Sequence, residues 1–305
     1  MARPGLFTLL MLLTCFAFAQ KRSIALKLKP GATYSFVIKQ TSTTSQTIRQ
    51  RPLETRLILT AGMRFMVSNV TEGDYTLNTT FDSIKLQLEL PNGDLQFNTE
   101  KRGDSGIYAV VLKSLKKRPF NIRLSKTGKI MEVEGSDNNL QKAIADTKAD
   151  TAQRQQALEQ LRQSVGSTAI TNLLQKIFNI YPEVAVSNND KWIIQTQNKG
   201  EPDIATRNYY MVKTALPKSI VIQGNGTIQS VAPARPALLN GMPVERNLAG
   251  DTYVNITTDY ISGWPLRAEI NEKLNGVIII NDNPQLPGGL AIPININNIV
   301  TLSIP

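Results

Sequence analysis

LILTAGMRFMV, residues 57–67, decides how this chain folds. Leu57, Leu59, Ala61, Met63, Phe65 and Val67 occupy every second position, with Arg56, Thr60, Gly62 and Arg64 on the alternate set. A period of two belongs to a strand that buries one face and wets the other. Working outward, Thr71-Glu72-Gly73-Asp74 predicts a turn, and Tyr75–Leu90 a second strand whose apolar set changes face between Phe81 and Ile84. Such a change of phase predicts a β-bulge in a curved sheet. Pro91-Asn92-Gly93-Asp94 turns the chain again. Strands are expected at Gly106–Leu115 and at Pro119–Val133, the latter folded at Lys126-Thr127-Gly128. Residues 20–135 thus read as an antiparallel β region with long strands.

Alternation stops at Ser136-Asp137. From Asn138 to Ile180 the chain is rich in Ala, Gln, Leu, Lys and Glu and has no proline before Pro182. That composition predicts a helical segment over 136–181, with Ser136 or Asp137 as its N-cap and an interruption near Gly166. Ile170, Leu173, Leu174, Ile177 and Phe178 recur at helical spacing and predict a face packed on the sheet. The earlier half, anchored by Ile144, Leu158 and Leu161, is expected to be more exposed. Strand patterns return over 182–305, at Lys191–Thr196, Asn208–Thr214, Ser219–Val231, Thr252–Tyr260, Leu266–Ile280 and Ile292–Ile304. Ala232–Asn247, with three prolines, reads as a loop. The fold class is therefore α+β and mostly antiparallel, with long curved strands and a central helical segment at about 138–180. The strands form either one extended sheet or two β halves bridged by helix.

The first nineteen residues have a different purpose. Arg3, the apolar run Leu6–Phe16 and the small residues Ala17 and Ala19 compose a secretory signal, with cleavage leaving Gln20 as the first residue. A competing reading takes Leu12-Leu13-Thr14-Cys15 as a lipoprotein signal, with Cys15 lipidated and the protein anchored to a membrane. Nothing after the signal is long and apolar enough to span a bilayer as a helix. The expected location is periplasmic or secreted.

The chain has no histidine, and its one cysteine is Cys15. After cleavage there is no residue for a disulfide, a Cys/His zinc site, histidine ligation of haem, a Ser-His-Asp triad or a Cys-His dyad. Stability must come from the core. Thirty-four basic residues against 24 acidic ones give a net charge of +10. Part of that excess lies at Lys113, Lys116, Lys117, Arg118 and Arg123, a candidate contact for anionic glycan or lipid head groups. Export and the lack of a recognition motif argue against nucleic acid.

Five stretches resemble a family of exported envelope proteins, chiefly from Bacteroidota, that is a domain of unknown function. They are the Ala-Gln end of the signal, LKLKPGATYSF (26–36), KRPFNIRLSKTGKIMEVEG (117–135), IYPEVAVSNNDKW (180–192) and SGWPLRAEINEKLNGVIII (262–280). In the fourth, Asn188-Asn189 stands where the family pattern has glycine, and asparagine takes the same left-handed turn. The resemblance implies a location and a strand-rich fold and, because the family has no assigned activity, no catalytic residues.

Without histidine or a mature cysteine, catalysis would need a carboxylate pair, a Ser-Lys dyad or an oxygen-ligated metal. Glu132 and Glu134 alternate along a strand and read as its solvent face. Asn281-Asp282-Asn283 and Asp190-Lys191 read as turns. The expectation is a non-enzymatic binding or assembly module, free of cofactors, whose partner is an envelope protein, an anionic glycan or a lipid. The alternatives are a carrier of an apolar ligand in a half-barrel with a helical lid, and a carboxylate-based glycan hydrolase. Ile58 and Met66, on the polar face of the first long strand, speak for the carrier.

Overall fold

Alternating sequence becomes one sheet. The computed structural model describes residues 21–305 apart from 102, 104, 105, 188, 201, 232–236, 240, 241 and 285, so Cys15, Ala17, Ala19 and Gln20 lie outside the described residues. Its strands are β1 (Thr33–Ile48), β2 (Arg51–Val70), β3 (Asp74–Glu89), β4 (Leu95–Asn98), β5 (Phe120–Ser125), β6 (Ile130–Glu134), β7 (Lys191–Asn198), β8 (Asp203–Ala215), β9 (Ser219–Val231), β10 (Ala237–Leu239), β11 (Met242–Asp259), β12 (Pro265–Ile280) and β13 (Leu290–Ser303). Helices α1 (Ile107–Leu115), α2 (Ser136–Ala145), α3 (Thr151–Val165) and α4 (Ser167–Phe178) complete it. The sheet runs β6-β5-β3-β2-β1-β13-β12-β11-β9-β8-β7, with every pairing antiparallel and β4 and β10 added beside β3 and β11. The first and last of the described strands pair at its centre, Val37 opposite Ser303, which makes the two halves continuous.

One face of this sheet is apolar and covered; the other is polar and open, as antiparallel sheets permit. Along β12, Ala268, Ile270, Leu274 and Ile280 are buried, while Arg267, Glu269, Lys273 and Asn275 are exposed. The residues of 57–67 behave as their pattern requires: Leu59, Ala61, Met63, Phe65 and Val67 are buried, and Arg56 and Arg64 are exposed. Ile58 and Met66 lie on the open face, Met66 exposed there. The change of phase in β3 is a bulge: Gly62 faces Ser83 and Met63 faces Phe81, leaving Asp82 as the extra residue. At the chain's tight turns the expectations also hold. Asn189 takes the left-handed conformation, with φ 73°.

Four expectations are corrected. Gly106–Leu115 is not a strand; Ile107–Leu115 is α1, which buries Ala109, Val111, Leu112 and Leu115 against α2 and its neighbours. Its β-branched residues favour a strand, but the 3–4 spacing of Val111, Leu112 and Leu115 wins once a helical layer is there to receive it. The segment Ala232–Asn247 is not all loop, because β10 lies within it and β11 already begins at Met242. Neither Ser136 nor Asp137 caps the helix that follows. Gly135 is the cap of α2; Ser136 Oγ donates to the Val165 carbonyl, and Asp137 accepts from the backbone N–H and hydroxyl of Ser167 at the start of α4. The helical segment also breaks twice: besides Gly166 there is an interruption at 146–150, after which Asp150 and Gln153 form a capping box for α3.

Helix α4 holds the centre of the concave face. Ile170, Leu173, Leu174, Ile177 and Phe178 are buried, each contributing on the order of 1.5–3 kcal/mol. Phe178 meets Trp264 edge-on, at 5.1 Å between ring centroids, and Trp264 stacks on Tyr34 at 4.5 Å.

Candidate functional site

The opposite side of α4 is polar, and it joins the two ends of the sheet. Gln175 Oε1 accepts from the backbone N–H of Ile130 on β6 at 2.7 Å. Asn172 Nδ2 donates to the carbonyl of Lys199 beyond β7 at 2.7 Å, and Asn179 Nδ2 donates to Thr196 Oγ1 on β7 at 3.2 Å. Residues 172, 175 and 179 are spaced to share one helix face. The sheet is therefore an incomplete barrel in which α4 stands between the edge strands β6 and β7.

Between those edges is an open cleft of about 890 Å³. Val133 lines its β6 side; Val184, Trp192 and Ile193 line the other, above the amides of α4. Val184 is 72% exposed and Ile193 48%. The Trp192 ring is fixed by its Nε1–H, which donates to the Ile180 carbonyl at 2.9 Å, and it stacks on Tyr210. An unpaired strand edge with apolar side chains beside it and amide groups opposite can hold an extended chain by backbone pairing.

Beneath the cleft lies a buried polar belt. Glu272 on β12 is 3% exposed; its Oε2 accepts from Lys176 Nζ at 2.6 Å and from Asn298 Nδ2 at 3.2 Å. The belt follows the strand register, Thr252 opposite Glu272 opposite Asn298 opposite Ser42. Burial pushes the Tyr210 hydroxyl well above its ordinary value and the nearby Glu272 adds to this, against a hydrogen bond from Asn208. The space there is about 20 Å³, room for one water. Past the belt the concave face is apolar again, with Ile228, Leu248, Leu274 and Ile294 in one cluster and Val244, Ile280 and Ile292 in a second.

The basic residues singled out in the sequence are placed without forming one free cationic face. Lys113 lies on α1 and Lys117 is exposed just beyond it. Lys116 pairs with Glu100 and Arg118 with Asp146, both at 2.7 Å, and Arg123 lies between Asp74 at 3.5 Å and Glu132 at 3.4 Å. The acidic residues singled out also have structural partners: Asp190 accepts from the backbone N–H of Ser187 and Asp282 from that of Gly288, closing their turns. Glu134 is exposed on β6. Among the described residues no group of three or more His, Cys, Asp or Glu is placed to hold a metal ion, and no helix is long and apolar enough to cross a membrane. Sequence reasoning missed the cleft, although the polar positions 172, 175 and 179 opposite the apolar stripe were a signal for it.

A family model described as a family of unknown function, DUF6263, matches residues 72–265, from the β2–β3 turn to the start of β12, which takes in both edge strands and the helices α1 to α4. No curated protein matches the sequence. Among solved structures, one titled for lipid–protein interactions in lipovitellin aligns with 92% of this chain at 13% identity and a TM-score of 0.47; the chain spans 25% of that protein's length. An outer membrane channel from Pseudomonas putida F1 aligns with 92% of this chain and 97% of its own, at 8% identity and a TM-score of 0.27.

Proposed function

We propose, for a chain that belongs to the DUF6263 family of unknown function, that it is an exported envelope protein that acts by binding, with the cleft between β6 and β7 as its working surface. The cleft carries this reading. Both sheet edges open onto it, and Val184 and Ile193 stand in water beside the edge of β7. The occupant is an extended segment of another envelope protein, its main chain pairing with β7 and its apolar side chains covering Val184 and Ile193. Export is supported by the signal pattern at residues 1–19 and by the resemblance of five stretches of the sequence to exported envelope proteins. A non-catalytic role is supported by the structural duties of Asp137, Asp190 and Asp282.

A photo-crosslinking residue at position 193, compared in the producing cell with one at Lys273 on the open face, tests the reading. A discrete protein adduct from position 193 alone is expected. Equal labelling from both positions would remove the cleft as the binding surface. An intact mass beginning at Gln20 is expected for the mature protein; a diacylated chain beginning at Cys15 would replace free export with a lipid anchor.

One observation favours carriage of an apolar ligand as a second reading. The two apolar clusters on the concave face lie beyond the polar belt, apart from the main core. Native mass spectrometry of the protein from its own envelope separates the two, since a carrier releases a stoichiometric small molecule on denaturation.

A further inference from the structure

We propose that the end of the sheet formed by the β8–β9 turn and the β11–β12 loop is a docking tip for an anionic phospholipid bilayer. Three large apolar side chains project there: Leu216 is 49% exposed, Tyr260 44% and Ile261 72%. They come from two loops joined by a hydrogen bond from the Tyr260 backbone N–H to the Lys218 carbonyl at 3.0 Å. The N–H of Lys27 donates to the carbonyl of Ser262 at 2.8 Å, so the early chain flanks the same tip. Lys27, Lys218 and Arg267 are exposed around it.

The tip is built to hold its shape. Asp259 Oδ1 accepts from the backbone N–H groups of Ile261 at 3.1 Å and Ser262 at 2.7 Å, and from Ser262 Oγ at 2.7 Å. Burial draws the Asp259 carboxyl up, but these hydrogen bonds outweigh it and hold the group below the ordinary range. Gly263 has φ 69°, and a Cβ there would lie 2.4 Å from the carbonyl oxygen of Ala25, so the loop is wedged against the early chain. Tyr181 donates its hydroxyl hydrogen bond to the Gly263 carbonyl from the core. A loop fixed at this many points still presents Ile261 to water, beside two further apolar groups, and such clusters mark interaction sites.

The shape and the charge select the partner. The apolar groups stand exposed on two adjoining turns, which suits insertion among lipid head groups. A tyrosine and aliphatic side chains flanked by two lysines and an arginine match the boundary between acyl chains and anionic head groups, where the basic stems lie along the apolar zone and the charged ends meet phosphate. The excess of basic over acidic residues, which loss of the signal with Arg3 lowers by only one, adds long-range attraction to such a surface.

The test is flotation of the purified protein with vesicles of phosphatidylcholine and phosphatidylglycerol in equal parts, and with phosphatidylcholine alone. Binding to the mixed vesicles is expected to fall at least about 10-fold in Leu216→Ser/Ile261→Ser and in Lys27→Glu/Lys218→Glu, with thermal unfolding unchanged. Mixed-vesicle binding unaltered by either pair would overturn the proposal. So would failure of the wild-type protein to float while the same variants lose a crosslinked protein partner, which would make the tip a protein contact. Position 193 serves as the control, because loss of crosslinking there leaves flotation as it was.

Discussion

Lys176 on α4 and Glu272 on β12, 96 residues apart, meet at 2.6 Å inside the barrel, where Glu272 is almost fully shielded from water. The pair fastens the helix between the edges to the middle of the sheet. Lys176→Met leaves Glu272 buried without its countercharge and is expected to cost about 3–5 kcal/mol in urea unfolding. Lys176→Met/Glu272→Met is expected to recover most of that loss, since a packed apolar pair no longer needs charge compensation. A double variant as unstable as the sum of the singles would show that the two charges do not act as a pair.

High pH should loosen the same region. Burial pushes the hydroxyls of Tyr210 and Tyr181 far above the ordinary value of about 10. A folded value above the unfolded one means that the stabilisation is fully present below about pH 10 and is lost as the pH rises beyond it toward the folded values. Stability is therefore expected to decline from about pH 10 upward, and less steeply in Tyr210→Phe. Parallel decline of Tyr210→Phe and wild type would assign the alkaline loss elsewhere.

The β5–β6 turn tolerates no side chain at its glycine. Gly128 has φ 82°, and a Cβ would fall 1.7 Å from the carbonyl oxygen of Phe178 at the end of α4. Gly128→Ala should cost about 3 kcal/mol or more. Gly73→Ala meets nothing within 4 Å and serves as the control. Thermal unfolding of the two variants should differ by several degrees, and equal melting temperatures would contradict the close approach of turn and helix.

Asp137 reaches across the helical layer to cap α4 through Ser167. Asp137→Ala is expected to cost about 1 kcal/mol, the usual value of a lost N-cap. Hydrogen exchange at residues 167–170 should speed up while that of α2, which contains Asp137, changes little. Faster exchange confined to α2 would place its role there instead.

Much of the fold was legible because one buried face imposes a two-residue period. The set Leu57 to Val67 and the change of phase at Phe81–Ile84 are both consequences of that period, and the structure reproduces them as a half-buried strand and a bulge. Strand β1 lacked the signal for a physical reason. Where it crosses the polar belt its inward residues include Ser42 and Thr44, so Gln40–Thr47 has no apolar contrast. Arg246 blurred the start of β11 similarly, by occupying an inward position between Val244 and Leu248. The cleft was harder to see because its walls come from segments about sixty residues apart, and only the curl of the sheet brings them to one helix.

The pairing of β1 with β13 also sets an order of events. Val37 finds its partner only when Ser303 has been made, so the strand that completes the centre of the sheet is the last of the described strands to be synthesised. Until then each half carries an open edge that costs loop-closure entropy to mate and invites pairing with other chains. Such a late seam keeps the sheet incomplete until β13 is free to pair with both β1 and β12.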